Sequence, residues 1–168
     1  MADLCKMTRC SAVAMVEVTG IAGAWPAELS AVVVEMGAGG FVLNLSPERR
    51  IVRLGGVVAK WHQAVADARG RLVDVTHAWQ RVVIEGRWAR DLLARAIDLD
   101  LQSRHFRAGQ VVSTLCGRVP VILHATGEES FDLFVATSYT NWLFKWLEVV
   151  RAPLVGDGDE TTAAHEEI

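Results

Sequence analysis

Five histidines (His62, His77, His105, His124 and His165) are the side chains of this chain that titrate nearest neutrality. None stands in an HxH or HExxH spacing or beside a cysteine pair, the patterns that hold a metal ion. They read as structural or surface histidines, with His77 packing or hydrogen bonding at a strand end. The carboxylates Asp74, Glu85, Asp91, Asp98, Asp100, Glu128 and Glu129 have no spacing that would pair an acid with a base. Cys5, Cys10 and Cys116 make an odd set without a CxxC pair and read as reduced thiols. Gly37-Ala38-Gly39-Gly40 precedes a strand rather than opening a helix, so it reads as a turn and not a phosphate cradle. Gly55-Gly56 precedes a helix but lacks the Lys-Ser/Thr of a nucleotide loop. Arg49, Arg50 and Arg53 form a small basic cluster. It reads as a solvated hairpin face, or as a surface for an acidic or flavin-phosphate-bearing partner. The chain therefore offers no catalytic, cofactor-binding or metal-binding residues of its own.

The elements that would carry these side chains follow from apolar periodicity. Val13, Met15, Val16 and Val18 predict a strand over Ser11–Val18. Trp25-Pro26 opens a helical reading through Met36, which the Val32-Val33-Val34 run contests. Phe41–Leu45 and Ile51–Leu54 read as a hairpin turning at Pro47. Val57–Arg69 reads as a helix with Val57, Trp61, Ala64, Val65 and Ala68 on one face. The stretch Leu72–Leu93 then reads as strand, link, strand, Gly turn and helix, and both strands are expected mid-sheet. Ala89, Leu92, Leu93, Ala96 and Ile97 form the buried face of that helix. A polar connector, Asp98–Gln110, is anchored by Leu99, Leu101 and Phe106. Three strands follow, at Val111–Cys116, Val119–His124 and Phe131–Ala136. Thr137 or Ser138 caps a last helix, which is expected to end near Val150 before Pro153. The order strand, helix, strands, helix occurs twice, an α+β pattern.

The last helix bears most on function. Ser138, Asn141, Lys145 and Glu148 fall in one narrow polar stripe. Tyr139, Trp142, Leu143, Phe144, Trp146, Leu147, Val149 and Val150 fill the rest, an apolar arc of about 220° where a core-facing helix needs ≳100°. Such a helix is either buried within its own domain or packs one side inward and offers the other to a partner. Large aromatics dominate interface cores, so Tyr139, Trp142, Phe144, Trp146 and Val150 are the candidate partner-contact residues. Six tryptophans in 168 residues point the same way.

Composition sets outer bounds. The net charge of −3 argues against nucleic acid as a partner. Five of the acids lie in residues 154–168, which carry no Lys or Arg; the remaining 15 acids against 17 bases leave the body near +2. That tail reads as disordered, because it cannot bury enough apolar area to offset its ordering entropy. Residues 1–10 read as a flexible leader and residues 11–153 as a single domain. Asp3, Lys6 and Arg9 interrupt any signal-like apolar run. No stretch approaches the ~18 apolar residues of a membrane span, and a cytoplasmic location is the expectation.

Val73-Asp74-Val75-Thr76-His77-Ala78, Val83-Ile84, Gly86 and Ala89-Arg90-Asp91-Leu92-Leu93 occur in that order. Asp98-Leu99-Asp100-Leu101 with Phe106 and Gly109 follows, then Phe131-Asp132-Leu133-Phe134-Val135, and then Ser138-Tyr139 through Trp146-Leu147. Together these resemble the gamma subunit of heterotetrameric sarcosine oxidase, over roughly Leu72–Val150. That family is related to the folate-binding domain of the glycine-cleavage aminomethyltransferase. The resemblance implies a duplicated α+β architecture like that domain. It also implies a non-catalytic chain in a flavoenzyme complex that oxidises sarcosine to glycine, with formaldehyde or methylenetetrahydrofolate and peroxide as products. FAD, FMN, NAD and tetrahydrofolate would sit on larger alpha- and beta-type subunits.

Related aminomethyltransferases carry an Asp after the hairpin corresponding to Gly117-Arg118. Here Val119-Pro120-Val121-Ile122-Leu123-His124 has no acid, so methylene transfer by this chain is not expected. The related tRNA-modifying proteins carry a Cys in a KGCYxGQ-like signature, where this chain has Phe106-Arg107-Ala108-Gly109-Gln110. Two other readings stay open: a stand-alone folate- or pterin-binding module of the same fold, and a complex acting on another N-methyl amino acid.

Overall fold

Successive side chains of a strand point to opposite faces of its sheet, so an uninterrupted apolar run such as Val121-Ile122-Leu123 buries residues on both. The architecture follows from having two such sheets and too little helix to cover every face. The computed structural model describes residues 5–10, 13–21, 40–54 and 58–156. Strands β1 (Lys6–Cys10), β6 (Trp79–Glu85), β7 (Val111–Cys116), β8 (Val119–Ala125) and β9 (Ser130–Ala136) form a five-stranded antiparallel sheet in the order β1-β6-β9-β8-β7. Strands β2 (Met15–Thr19), β3 (Phe41–Ser46), β4 (Arg49–Arg53) and β5 (Arg71–Asp74) form a four-stranded antiparallel sheet in the order β3-β4-β2-β5. The helices are α1 (Val58–Asp67), α2 (Ala89–Ala96) and α3 (Thr140–Gly156). The α+β class expected from the sequence is the class observed.

The buried side chains sort these elements into layers. Val16, Val18, Val52 and Leu54 pack against Trp61, Ala64 and Val65 of α1. The opposite face of the same sheet gives Met15, Phe41, Leu43 and Ile51, which meet Ile122 and Phe134 of the five-stranded sheet. The far face of that second sheet, with Val82, Ile84, Val121, Leu123, Leu133 and Val135, is covered by Leu92 and Leu93 of α2 and Leu143 and Leu147 of α3. The order is helix, sheet, sheet, helices. Each fully buried Leu, Ile or Phe in these layers contributes about 1.5–3 kcal/mol relative to exposure.

Several expectations change. The two strands of Leu72–Leu93 were expected in the middle of one sheet, but they belong to different sheets. β5 is the edge of the four-stranded sheet and β6 lies inside the five-stranded one. The single 3-10 turn Thr76–Ala78 carries the chain from one to the other. β5 is also largely exposed, which its period-two pattern could not report. Lys6–Cys10, expected within a flexible leader, is strand β1, paired with β6 from Lys6↔Glu85 to Cys10↔Arg81. Its polar composition suits an edge strand.

Helix α3 does not stop before Pro153 but runs through it to Gly156. Proline there gives up the hydrogen bond to the carbonyl four residues back and crowds that carbonyl, but Leu154, 4% exposed, anchors the last turn in the core. Residues 154–156, read from the sequence as the start of the tail, are the last turn of α3. Thr137 does not cap α3: its hydroxyl donates to the His77 carbonyl at 2.9 Å. The helix expected over Trp25–Met36, the Gly37–Gly39 turn and the Gly55-Gly56 pair lie outside the described residues.

Candidate functional site: an aromatic helix face and a buried charge cluster

Helix α3 is held against the five-stranded sheet on one side only. Leu143 and Leu147 are fully buried, four residues apart on one face. Phe144 and Val150 are partly buried against the same core. Phe144 is also covered by Arg9 of β1, whose guanidinium lies 4.5 Å from the ring centroid. The same Arg9 donates to the side-chain oxygen of Asn141 at 2.8 Å. Arg151 donates to the Cys5 carbonyl at 2.9 Å. The N-terminal strand thus straps the C-terminal helix from its polar side.

The opposite side is open. Tyr139 and Trp142 are each 49% exposed and Val149 is 71% exposed. Trp146 is half-buried, edge-to-face with Trp142 at 6.4 Å and 81°. It lies over Gly117 in the β7–β8 turn: a Cβ on Gly117 would come within 2.2 Å of the Trp146 Nε1. Of the five contact residues expected from the sequence, Tyr139 and Trp142 are openly presented. Trp146 is shared between core and surface, and Phe144 and Val150 are turned mostly inward. Val149 was not among the five, although at 71% it is the most exposed large apolar residue among the described residues. A hundred degrees per residue places it near Trp142 and Trp146, so the helical wheel could have found it.

The other feature was missed by reading motifs. Between the sheets, Asp132 of β9 is 1% exposed. One of its oxygens accepts from Arg53 of β4 at 2.5 Å and the other from Arg81 of β6 at 2.8 Å. His124 of β8 is the cross-strand partner of Asp132 and is itself 2% exposed. Its ring lies 5.2 Å from that of Phe41. Burial pushes the His124 pKa below the usual histidine value, against the pull of Asp132 and reinforced by the two guanidiniums. Among the described residues its Nδ1 has no hydrogen-bond partner. The clue in the sequence was Asp132 itself, an acid inside the apolar run Phe131–Val135. A carboxylate buried there must be paired.

The remaining candidates are peripheral. Arg49, Arg50 and Arg53 are not one solvated cluster. Arg49 is exposed and pairs with Glu17 at 2.6 Å, while Arg50 is buried and donates to the Ile21 carbonyl and to Asn44. Arg53 points the other way, between the sheets, because adjacent strand residues alternate faces. His77 is exposed, and its backbone carbonyl accepts from Thr137. Asp74 and Asp100 cap their own turns, accepting from the Thr76 and Gln102 N–H groups, and Asp100 also pairs with His105. Cys116 is fully buried, and burial pushes its thiol pKa up to about 12, leaving it inert.

Comparison with known proteins gives one consistent relationship. The sarcosine oxidase gamma subunit family model matches residues 51–153. The sarcosine oxidase subunit gamma of Corynebacterium sp. strain U-96 is 27% identical over 84 residues, which is 50% of this chain and 41% of that protein. The subunit gamma of strain P-1 matches with the same identity and coverage. The aligned stretch thus spans less than half the length of these relatives. A chain of the heterotetrameric sarcosine oxidase from Corynebacterium sp. U-96, solved with pyrrole 2-carboxylate, superposes with a TM-score of 0.74 at 19% identity. That superposition covers 89% of this chain and 84% of that one.

Proposed function

This chain belongs to the sarcosine oxidase gamma subunit family, and we propose that it acts as a non-catalytic subunit of a sarcosine-oxidising flavoenzyme complex. Larger alpha- and beta-type subunits would hold FAD, FMN, NAD and tetrahydrofolate and carry out the oxidation of sarcosine to glycine. This chain would brace them. The observation that supports the reading is the outward side of α3, where Tyr139, Trp142 and Val149 are exposed together on a helix whose other side is packed. Monomers rarely leave large aromatics grouped in the open, and exposed aromatics of this kind become anchors when a partner covers them. The duplicated architecture of the folate-binding domain belongs to the same proposal, with the two sheets descending from the two copies.

Co-expression with alpha- and beta-type subunits tests it. Co-elution as a yellow complex with sarcosine-dependent peroxide production supports the reading. A colourless chain that elutes apart from those subunits counts against it.

A further inference from the structure

The seam between the two sheets is closed by one ion-paired group and one buried neutral base. Asp132 accepts from Arg53 across the seam and from Arg81 within its own sheet. Both carboxylate oxygens are therefore committed. The cluster holds two guanidiniums against one carboxylate and carries one positive charge while His124 is neutral. The groups facing His124 are set by the strands around it. β9 supplies Asp132, β7 supplies Val111 as the paired residue, β3 supplies Phe41, β4 supplies Arg53 and β6 supplies Arg81. No acid other than Asp132 stands among these. A proton added to His124 would put a third cation beside a single carboxylate that two guanidiniums already engage, at a site almost wholly withdrawn from solvent.

We propose that His124 is a proton-sensitive latch of the inter-sheet seam: in mild acid its protonation loosens the four-stranded sheet from the five-stranded sheet, leaving the helix-backed half in place. The seam gives way first because hydrating the new charge requires moving Phe41 and Arg53, which belong to the four-stranded sheet. The other half keeps its core, since Leu133, Leu143 and Leu147 face away from the cluster. The direction of the shift agrees. A histidine whose native pKa lies below the ordinary 6.5 binds its proton more readily once the seam is open. Closure is thus favoured above the ordinary value and is lost as pH falls toward the native one. The inference stands on the seam geometry and holds whether or not the chain is an oxidase subunit.

The test is amide hydrogen exchange of the full-length chain between pH 8 and pH 5, corrected for the intrinsic pH dependence of exchange. Protection of β3 and β4 amides is expected to fall by up to about tenfold per pH unit below about pH 6.5, the slope for uptake of one proton. Amides of β8 and β9 should hold. His124→Gln and His124→Phe should both flatten the β3–β4 response, and His105→Gln should leave it unchanged. Equal loss of protection in both sheets, or an unchanged β3–β4 response in either His124 variant, would overturn the proposal. If neither variant folds, an NMR titration of the wild-type His124 ring decides. Titration of the ring together with loss of β3–β4 protection supports the latch, and a ring that titrates while β3–β4 protection holds removes it.

Discussion

Arg53 of β4 reaches across the seam and donates to Asp132 of β9 at 2.5 Å, so two residues 79 positions apart tie one sheet to the other. Both are largely withdrawn from water, with side-chain exposures of 11% and 1%. Such a pair adds little over a well-packed apolar contact, but losing one member strands a buried charge. Asp132→Asn, which leaves Arg53 and Arg81 without their counter-charge, is expected to cost about 3–5 kcal/mol. The double variant Asp132→Leu with Arg53→Met should recover part of that loss. Urea denaturation of the three proteins measures both numbers, and a double variant weaker than the single one would contradict the account.

Trp142 and Leu147 lie on the same helix and should behave oppositely. Trp142 is half exposed and its main contact within the chain is the edge-to-face pair with Trp146, so Trp142→Ala is expected to cost only about 0.5–1.5 kcal/mol of stability. It should weaken partner binding by about 2 kcal/mol or more, roughly thirtyfold. Leu147 is fully buried, and Leu147→Ala should lose about 2–5 kcal/mol of stability. Thermal melts and a pull-down with the large subunits separate the two effects.

Gly117 has φ +61°, and a side chain there would run into the indole of Trp146. Gly117→Ala carries the left-handed backbone penalty of about 1 kcal/mol and must also displace the ring. We expect a lower melting temperature and a red-shifted tryptophan emission, because the half-buried indole is pushed toward water. An emission spectrum identical to that of the parent would show that Trp146 is not seated on this turn.

Cys116 is fully buried and its thiol is pushed up to about 12 from an ordinary 9.0. The folded state therefore favours the protonated thiol, and this contribution to stability is present below pH 9 and lost as pH rises above it. At pH 8, iodoacetamide should modify the partly exposed Cys10 first and leave Cys116 untouched until the protein is unfolded. Mass spectrometry of the labelled peptides reads the order directly.

Local patterns in the sequence determined most of the elements and the α+β class. Ala89, Leu92, Leu93 and Ala96 recur at helical spacing and are the buried face of α2. The hairpin at Pro47 and the three strands after Gln110 also stand where alternation put them. The order of motifs from Val73 to Leu147 carried the family. These properties are readable because they depend on residues a few positions apart. What the tertiary structure decided depends on distance in space. Which sheet receives β5 and which receives β6, the pairing of the polar segment Lys6–Cys10 with β6, and the passage of α3 through Pro153 all follow from contacts made by far-off residues. The outward side of α3 was legible as an excess of apolar arc, but which residues face out was settled by Arg9, Gly117 and the core beneath. The charge cluster was illegible for the same reason: Arg53, Arg81, His124 and Asp132 come from four strands of two sheets, and only folding brings them together.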